Sequence, residues 1–276
     1  MKVTPIKQQK PSAAAVSSEV SKRRSAHEIL EGVLKSAREE LDRSTPALAF
    51  SGLAGGLTMG LTGLGVALAR AHLGPGSMQQ FISMLLYPIG FVAVIIGRAQ
   101  LFTENTLYPV VLVLDERKHE HALNTLRLWV TVFVANVAGA LVFALLAARS
   151  GALRPDYVSA LVAIGREASS GTAAHVFWSG VIGGWLIALV AWMVTASHWT
   201  IGQLVVTYML TFVVGLGHFA HCIASSGEIL SAVVSGALPA NVYLRWLVPC
   251  TLGNIVGGIV MVSLLNYGQV IAGEDT

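Results

Sequence analysis

The chain has 276 residues, 54% of them hydrophobic and 12% charged, with a mean hydropathy of +0.66 and a formal net charge of +3. That balance excludes a soluble globular domain. It also gives no nucleic-acid signal, because nine of the 18 lysines and arginines are gathered before residue 47.

In chain order, residues 1–46 form a polar, basic leader, expected in the cytoplasm because positive charge is retained on that side. It is too long and too acidic for a signal peptide, and the apolar run after it is of spanning length. Residues 1–25, rich in Ser, Ala and Lys, are expected to be disordered. Over 26–43, Ile29, Leu30, Val33, Leu34, Ala37 and Leu41 recur at helical spacing. That pattern predicts an amphipathic helix lying on the membrane or capping the inner mouth; a solvated helical leader is the alternative.

Six crossings follow, over 47–71, 79–114, 125–149, 172–196, 200–238 and 243–271, with a short cytoplasmic tail at 272–276. The 115–124 loop then faces inward with Arg117 and Lys118, and the 150–171 loop faces outward with Arg154 and Arg166. The outer arginines oppose the charge rule, but the N-terminal charges outweigh them. The expected fold is an all-α polytopic membrane protein of the bacterial inner-membrane type, with a 47–271 transport domain embedded in lipid. Cys222 and Cys250 fall in apolar stretches, so no disulfide framework is implied.

The second and fifth crossings are broken. An apolar run over 81–97 stops at 98–106 and resumes for 107–114; another over 201–217 stops at 218–228 and resumes for 229–238. Eight to ten helical residues cover about 12–15 Å, roughly half a bilayer core. Irregular backbone at that depth survives only when buried in protein or lining a cavity. Interrupted segments at corresponding places in two halves point to a substrate pathway near the midplane.

The halves also repeat in sequence. Ser51-Gly-Leu-Ala-Gly-Gly56 matches Ser179-Gly-Val-Ile-Gly-Gly184, and Asn136-Val-Ala-Gly139 matches Asn254-Ile-Val-Gly257. With three spans per half, the expected architecture is two inverted three-helix repeats, with helices two and five broken. The small residues allow close helix contact.

Leu101-Phe102-Thr103, His221-Cys222-Ile223-Ala224 and Gly253-Asn254-Ile255-Val256-Gly257-Gly258 resemble motifs of the formate/nitrite transporter family. The likeness covers about 26–271. It implies an aquaporin-like homopentamer with one pore per protomer, carrying small monovalent anions such as formate or nitrite. It further implies that Thr103, His221 and Asn254 sit at the pore centre between two apolar constrictions. Leu101 and Phe102 match the outer constriction; Tyr87, Phe91 and Val214 match positions near the inner one. The chain departs from the family pattern in four places. Gln100 replaces an acidic residue, Ala220 replaces a Glu, Ser225 replaces an Asn, and Ala168, near Arg166, stands where a Lys is expected. Glu104 and Glu228 are particular to this branch.

The residues support a site on their own. Ionisable groups in the membrane are expensive and are functional candidates by default. His221, inside the second break, offers a hydrogen bond or a proton. Beside Thr103 and Asn254 it would form a small anion site and pass a proton to the anion. The alternatives are structural: His221 bonding a freed carbonyl, Asn254 joining helices, Thr103 capping a half-helix. Glu104 and Glu228, near half-helix starts, complement the helix dipole or act in gating, and Arg98 pairs with either.

A rival reading makes His218, His221 and Glu228 a divalent-metal site, with His218 otherwise a proton-transfer helper. Hydrolysis is disfavoured. Ser179 lacks a preceding Gly, and Ser225 and Ser226 share the broken segment with His221. No phosphate-binding loop is present, so ATP-driven transport by this chain is not expected, and neither an enzyme nor a resident cofactor or metal is expected.

Overall fold

A computed structural model of the chain describes residues 23–73 and 75–274, excepting the side chain of Glu274. The disorder expected over 1–25 lies almost wholly outside the described residues, as does the end of the C-terminal tail. All regular structure among the described residues is helical.

The first helix, α1 (Ala26–Leu41), starts with a capping box. Ser25 Oγ accepts from Glu28 N at 3.2 Å, and Glu28 Oε2 accepts from Ser25 N at 2.6 Å. Its apolar stripe of Leu30 and Val33 is buried against Leu107, Val111, Ala188 and Trp192. The apolar stripe of this helix thus packs against the helical bundle.

Next come α2 (Thr45–His72), α3 (Ser77–Met84), α4 (Pro88–Ile96), a 3-10 turn (Glu104–Thr106) and α5 (Tyr108–Glu116). They are followed by α6 (His119–Arg149), α7 (Pro155–Ala168), α8 (Ala173–Ala196), α9 (Thr200–Leu216) and α10 (Ala224–Val234). The last crossing is α11 (Ala240–Gly258), a π turn (Ile259–Leu264) and α12 (Leu265–Glu274). Among the described residues, five helical stretches are long and apolar enough to cross a membrane: Thr45–His72, Ser77–Ile96, His119–Arg149, Ala173–Ala196 and Ala240–Gly273. The short pair α9 and α10 supplies the other broken segment.

One element differs from expectation. The 150–171 loop carries α7, which begins with Pro155 at a first-turn position and buries Leu161 and Ile164 against α2 and α10.

Both broken helices end in the same Schellman motif. In α4, Arg98 N donates to Ile95 O at 3.2 Å and Ala99 N to Val94 O at 3.0 Å, with Arg98 left-handed at φ 58°. In α9, His218 N donates to Gly215 O at 3.0 Å and Phe219 N to Val214 O at 3.0 Å, with His218 at φ 51°. This turn satisfies the last carbonyls of each half-helix and redirects the chain inward.

The matched sequence motifs meet each other at these breaks. A Cβ at Gly56 would strike the Asn136 backbone, and one at Gly184 the Asn254 backbone, so α2 packs on α6 and α8 on α11 at backbone contact. That closeness delivers each asparagine to a break. Asn136 Oδ1 accepts from Phe102 N at 2.9 Å, while its Nδ2 donates to Gly52 O at 2.7 Å and Gln100 O at 2.9 Å. Asn254 Oδ1 accepts from Cys222 N at 2.8 Å, while its Nδ2 donates to Gly180 O at 2.8 Å and Ala220 O at 2.9 Å. Ser51 Oγ accepts from Gln100 N at 3.1 Å and Ser179 Oγ from Ala220 N at 3.0 Å.

Candidate functional site

The two breaks meet at a buried pair. Thr103 Oγ1 lies 2.8 Å from His221 Nε2, and both residues are 0% exposed. His221 Nδ1 accepts from Ala224 N at 3.0 Å and Ile223 N at 3.3 Å, capping the start of α10. Accepting from two backbone N–H groups requires the Nδ1 lone pair. The hydrogen-bond pattern therefore assigns the proton to Nε2 and leaves the ring neutral. The Phe91 ring meets the imidazole edge-to-face at 5.0 Å. Thr103 makes no side-chain cap; its hydroxyl serves His221 instead.

Two cavities flank this pair without being lined by Thr103 or His221, each lined instead by a residue adjoining one of them. The larger, about 290 Å³, lies on the α7 side and is lined by Tyr87, Val214, Ala220, Ser225 and Glu228, with Arg70 and Glu167. The smaller, about 70 Å³, lies on the α1 side and is lined by Glu40, Arg98, Gln100, Glu104 and Gln203. Ala220 adjoins His221, and Glu104 adjoins Thr103. The Thr103–His221 hydrogen bond thus joins the segments that bound the two cavities. Phe91, Leu101 and Phe102, all buried, surround that junction.

Several expectations change here. Asn254 has both N–H donors committed to backbone carbonyls, so it is a clamp on the break, like Asn136, and not a donor toward an anion. His221, neutral with Nδ1 occupied by backbone, has no spare proton to release in this conformation. Leu101 and Phe102 lie toward the α1 side, where Phe102 packs on Trp129 and Phe133. Tyr87 and Val214 line the α7-side cavity. The second crossing begins on the far side from α1, so its first half belongs there.

Arg98 makes no ion pair with Glu104 or Glu228 among the described residues, and only Glu104 shares its cavity. Glu104 does open its 3-10 turn, whereas Glu228 lies beyond the first turn of α10. His218 is an exposed helix-ending residue on the rim of the larger cavity. The metal reading loses its centre, since the Nδ1 lone pair of His221 is used by backbone. Ser179, weighed and disfavoured above as a nucleophile, is an acceptor for Ala220 N.

Other residues at the two cavities escaped the sequence reading. Arg70 Nη1 bonds both Glu167 oxygens, at 3.0 and 2.8 Å, across the α7-side cavity. The signal was available: a lone charge ending an apolar span. On the other side, Glu40 Oε2 of α1 accepts from Gln100 Nε2 at 2.6 Å, and Gln100 Oε1 accepts from Asn105 Nδ2 at 2.8 Å. A carboxylate at position 100 would face Glu40, which accounts for the glutamine. Ala168 lines the α7-side cavity, but Arg166 turns away and donates to Ala237 O at 3.1 Å.

A helical membrane bundle with two broken spans meeting at a buried polar pair defines a membrane transport protein, not an enzyme. The chain belongs to the formate/nitrite transporter family, whose model matches residues 27–268. It is 32% identical over 245 residues to the inner membrane protein YfdC of Escherichia coli, covering 88% of this chain and 78% of that one. It is 29% identical over 237 residues to a probable formate transporter of Methanothermobacter thermautotrophicus, covering 80% and 83%. Among solved structures, an FNT family ion channel superposes with a TM-score of 0.76 at 20% identity, over 90% of this chain and 99% of that one. A pentameric formate channel with formate bound gives 0.65 at 20% identity, over 86% and 98%.

Proposed function

We propose that this protein carries small monovalent weak-acid anions, of the formate or nitrite kind, through a pore within each chain of a homopentamer. The pore runs from the α7-side cavity, past Tyr87, Val214 and Phe91, to Thr103 and His221, and leaves past Leu101 and Phe102 into the α1-side cavity. The observation that carries this reading is the fully buried Thr103–His221 pair between two cavities. A neutral Nε2–H donating to Thr103 Oγ1 turns the threonine hydroxyl proton outward, where it can bond a passing anion or acid. The apolar residues on either side strip water, and burial of a bare anion is costly. A permeant that crosses as the neutral acid avoids most of that cost, so transport is coupled to protons.

The names of the related formate transporters and of the pentameric channel support the substrate class and the assembly. The basic N-terminal segment supports cytoplasmic N- and C-termini in an inner-membrane setting. Liposome flux of formate, nitrite, acetate, lactate and hydrosulfide, for wild type and His221→Asn, tests the reading. Flux of at least one of these, reduced in the variant, is expected; no flux of any, or a variant with unchanged flux, would sink it. Native mass spectrometry in detergent is expected to show five chains, and a monomer at high concentration would refute the ring.

A further inference from the structure

The larger cavity contains a carboxylate that the transport reading does not use. Glu228 is 4% exposed, lines the cavity, and has no hydrogen-bond or ion-pair partner among the described residues. Its side chain lies along Gly63 of α2, where a Cβ would come within 2.6 Å of Glu228 Cγ and 3.2 Å of Oε1. The absence of a side chain at Gly63 makes room for it. Glu228 stands four residues beyond Ala224, about 6 Å of helix rise outward from the segment that His221 caps.

The charged and titratable groups facing the same cavity are Arg70 from α2, Glu167 from α7, His175 from α8, His218 from the break and Tyr87 from the α3–α4 corner. Neither α6 nor α11 contributes a lining residue there among the described ones. Arg70 is already bonded to Glu167. The cavity next to the polar pair therefore presents one unpaired carboxyl group and no unpaired arginine or lysine, an unfavourable setting for a permanent anion.

We infer that Glu228 is the proton-exchange and charge-selecting group of this pore. As the carboxylic acid, it transfers its proton to an incoming weak-acid anion. The Glu228 O–H bond breaks with its electron pair staying on the carboxylate, and an O–H bond forms on the anion, which moves on to Thr103 and His221 as the neutral acid. A hydronium ion from the external water then reprotonates the carboxylate, one of the hydronium O–H bonds breaking as the carboxyl O–H forms and a neutral water being left. Anions of strong acids, such as nitrate, cannot hold the proton and are turned away. This inference rests on the weak-acid reading above and supplies the proton that neutral His221 lacks.

The test uses the full-length protein in liposomes with formate and nitrate as probes, plus infrared difference spectra of the same samples. Wild type is expected to carry formate faster as external pH falls and to exclude nitrate. Glu228→Gln is expected to lose that pH dependence, with formate flux down about tenfold and the nitrate-to-formate ratio raised. Glu228→Asp should restore part of the pH dependence, which a merely structural role would not require. In the infrared, a carboxylic C=O band that titrates with external pH should be present in wild type and missing in Glu228→Gln. An unchanged pH profile and ion ratio in Glu228→Gln, or a wild type without that band, overturns the inference. If wild type carries neither formate nor nitrite, the substrate reading fails separately, and the infrared band alone decides for or against Glu228.

Discussion

Asn136 and Asn254 perform the same task at the two breaks, each accepting one backbone N–H and donating to two carbonyls. Removing either carboxamide leaves the break's N–H and carbonyl (Phe102 N and Gln100 O, or Cys222 N and Ala220 O) without that partner, at roughly 1–3 kcal/mol for each unsatisfied group.

Asn254→Ala and Asn136→Ala should therefore both lose thermal stability, by amounts similar to each other. Melting followed by size exclusion in detergent checks this. If Asn254→Ala lost flux with unchanged melting while Asn136→Ala kept both, Asn254 would have to be an anion ligand after all.

Thr103→Val keeps the shape and deletes the hydroxyl that His221 Nε2 faces. The buried N–H is left without its partner, and the pore without its donor. Formate flux should fall about tenfold, corresponding to roughly 1.4 kcal/mol, whereas Thr103→Ser should stay near wild type. Equal flux in Thr103→Val and wild type would remove Thr103 from the pathway.

His218 holds a left-handed backbone, which costs a β-branched residue most. His218→Gly should leave assembly and melting close to wild type. His218→Val should destabilise by about 1–2 kcal/mol, seen as a lower melting temperature. If His218→Gly abolishes flux with folding intact, the imidazole itself has a role beyond ending the helix.

Glu116, the last residue of α5, fastens α1 to the bundle through Arg38, with Lys118 and His121 also bonding it. Hydrogen bonds from Lys118, then His121, then Arg38 hold its carboxyl down at about 2 from an ordinary 4.5. A carboxylate with a lowered folded-state pKa contributes stability that is whole above its unfolded value. That contribution is lost as pH falls from about 4.5 toward 2. Amide-exchange protection of Ala26–Leu41 should accordingly be flat between about pH 5 and 8 and drop below that window. Glu116→Gln should show reduced protection above about pH 5 and approach wild type as the pH falls toward 2; the same protection as wild type above about pH 5 would detach Glu116 from α1 docking.

Much of this arrangement was legible in the chain. The breaks announce themselves because an apolar run must stop where backbone leaves the helix, and both stops are rich in polar residues. The Ser, Asn and Gly matches show as sequence because backbone contact admits no substitute at Gly56 or Gly184. The Schellman turns were hidden, since Arg98 and His218 occupy positions where glycine would have signalled them. The helix α7 was hidden because its amphipathic stripe is only one residue in three or four within a polar loop. The backbone bonds of Asn254 could not be read from the chain, because a polar side chain beside a pore and one clamping its wall look alike until both donors are traced.

The matched bonds fix a correspondence between the halves, in which Leu101 occupies the place of His221 and Thr103 that of Ile223. The joint was duplicated, but each half kept only part of the chemistry: the imidazole in one copy, the hydroxyl in the other. Neither half-chain contains a working centre, so an ancestral single repeat would have needed a second copy beside it before any such pair could exist. The fused chain frees each copy to diverge, and the reciprocal exchange of Leu101 and His221 becomes a way to ask whether function follows the frame or the side on which the imidazole stands.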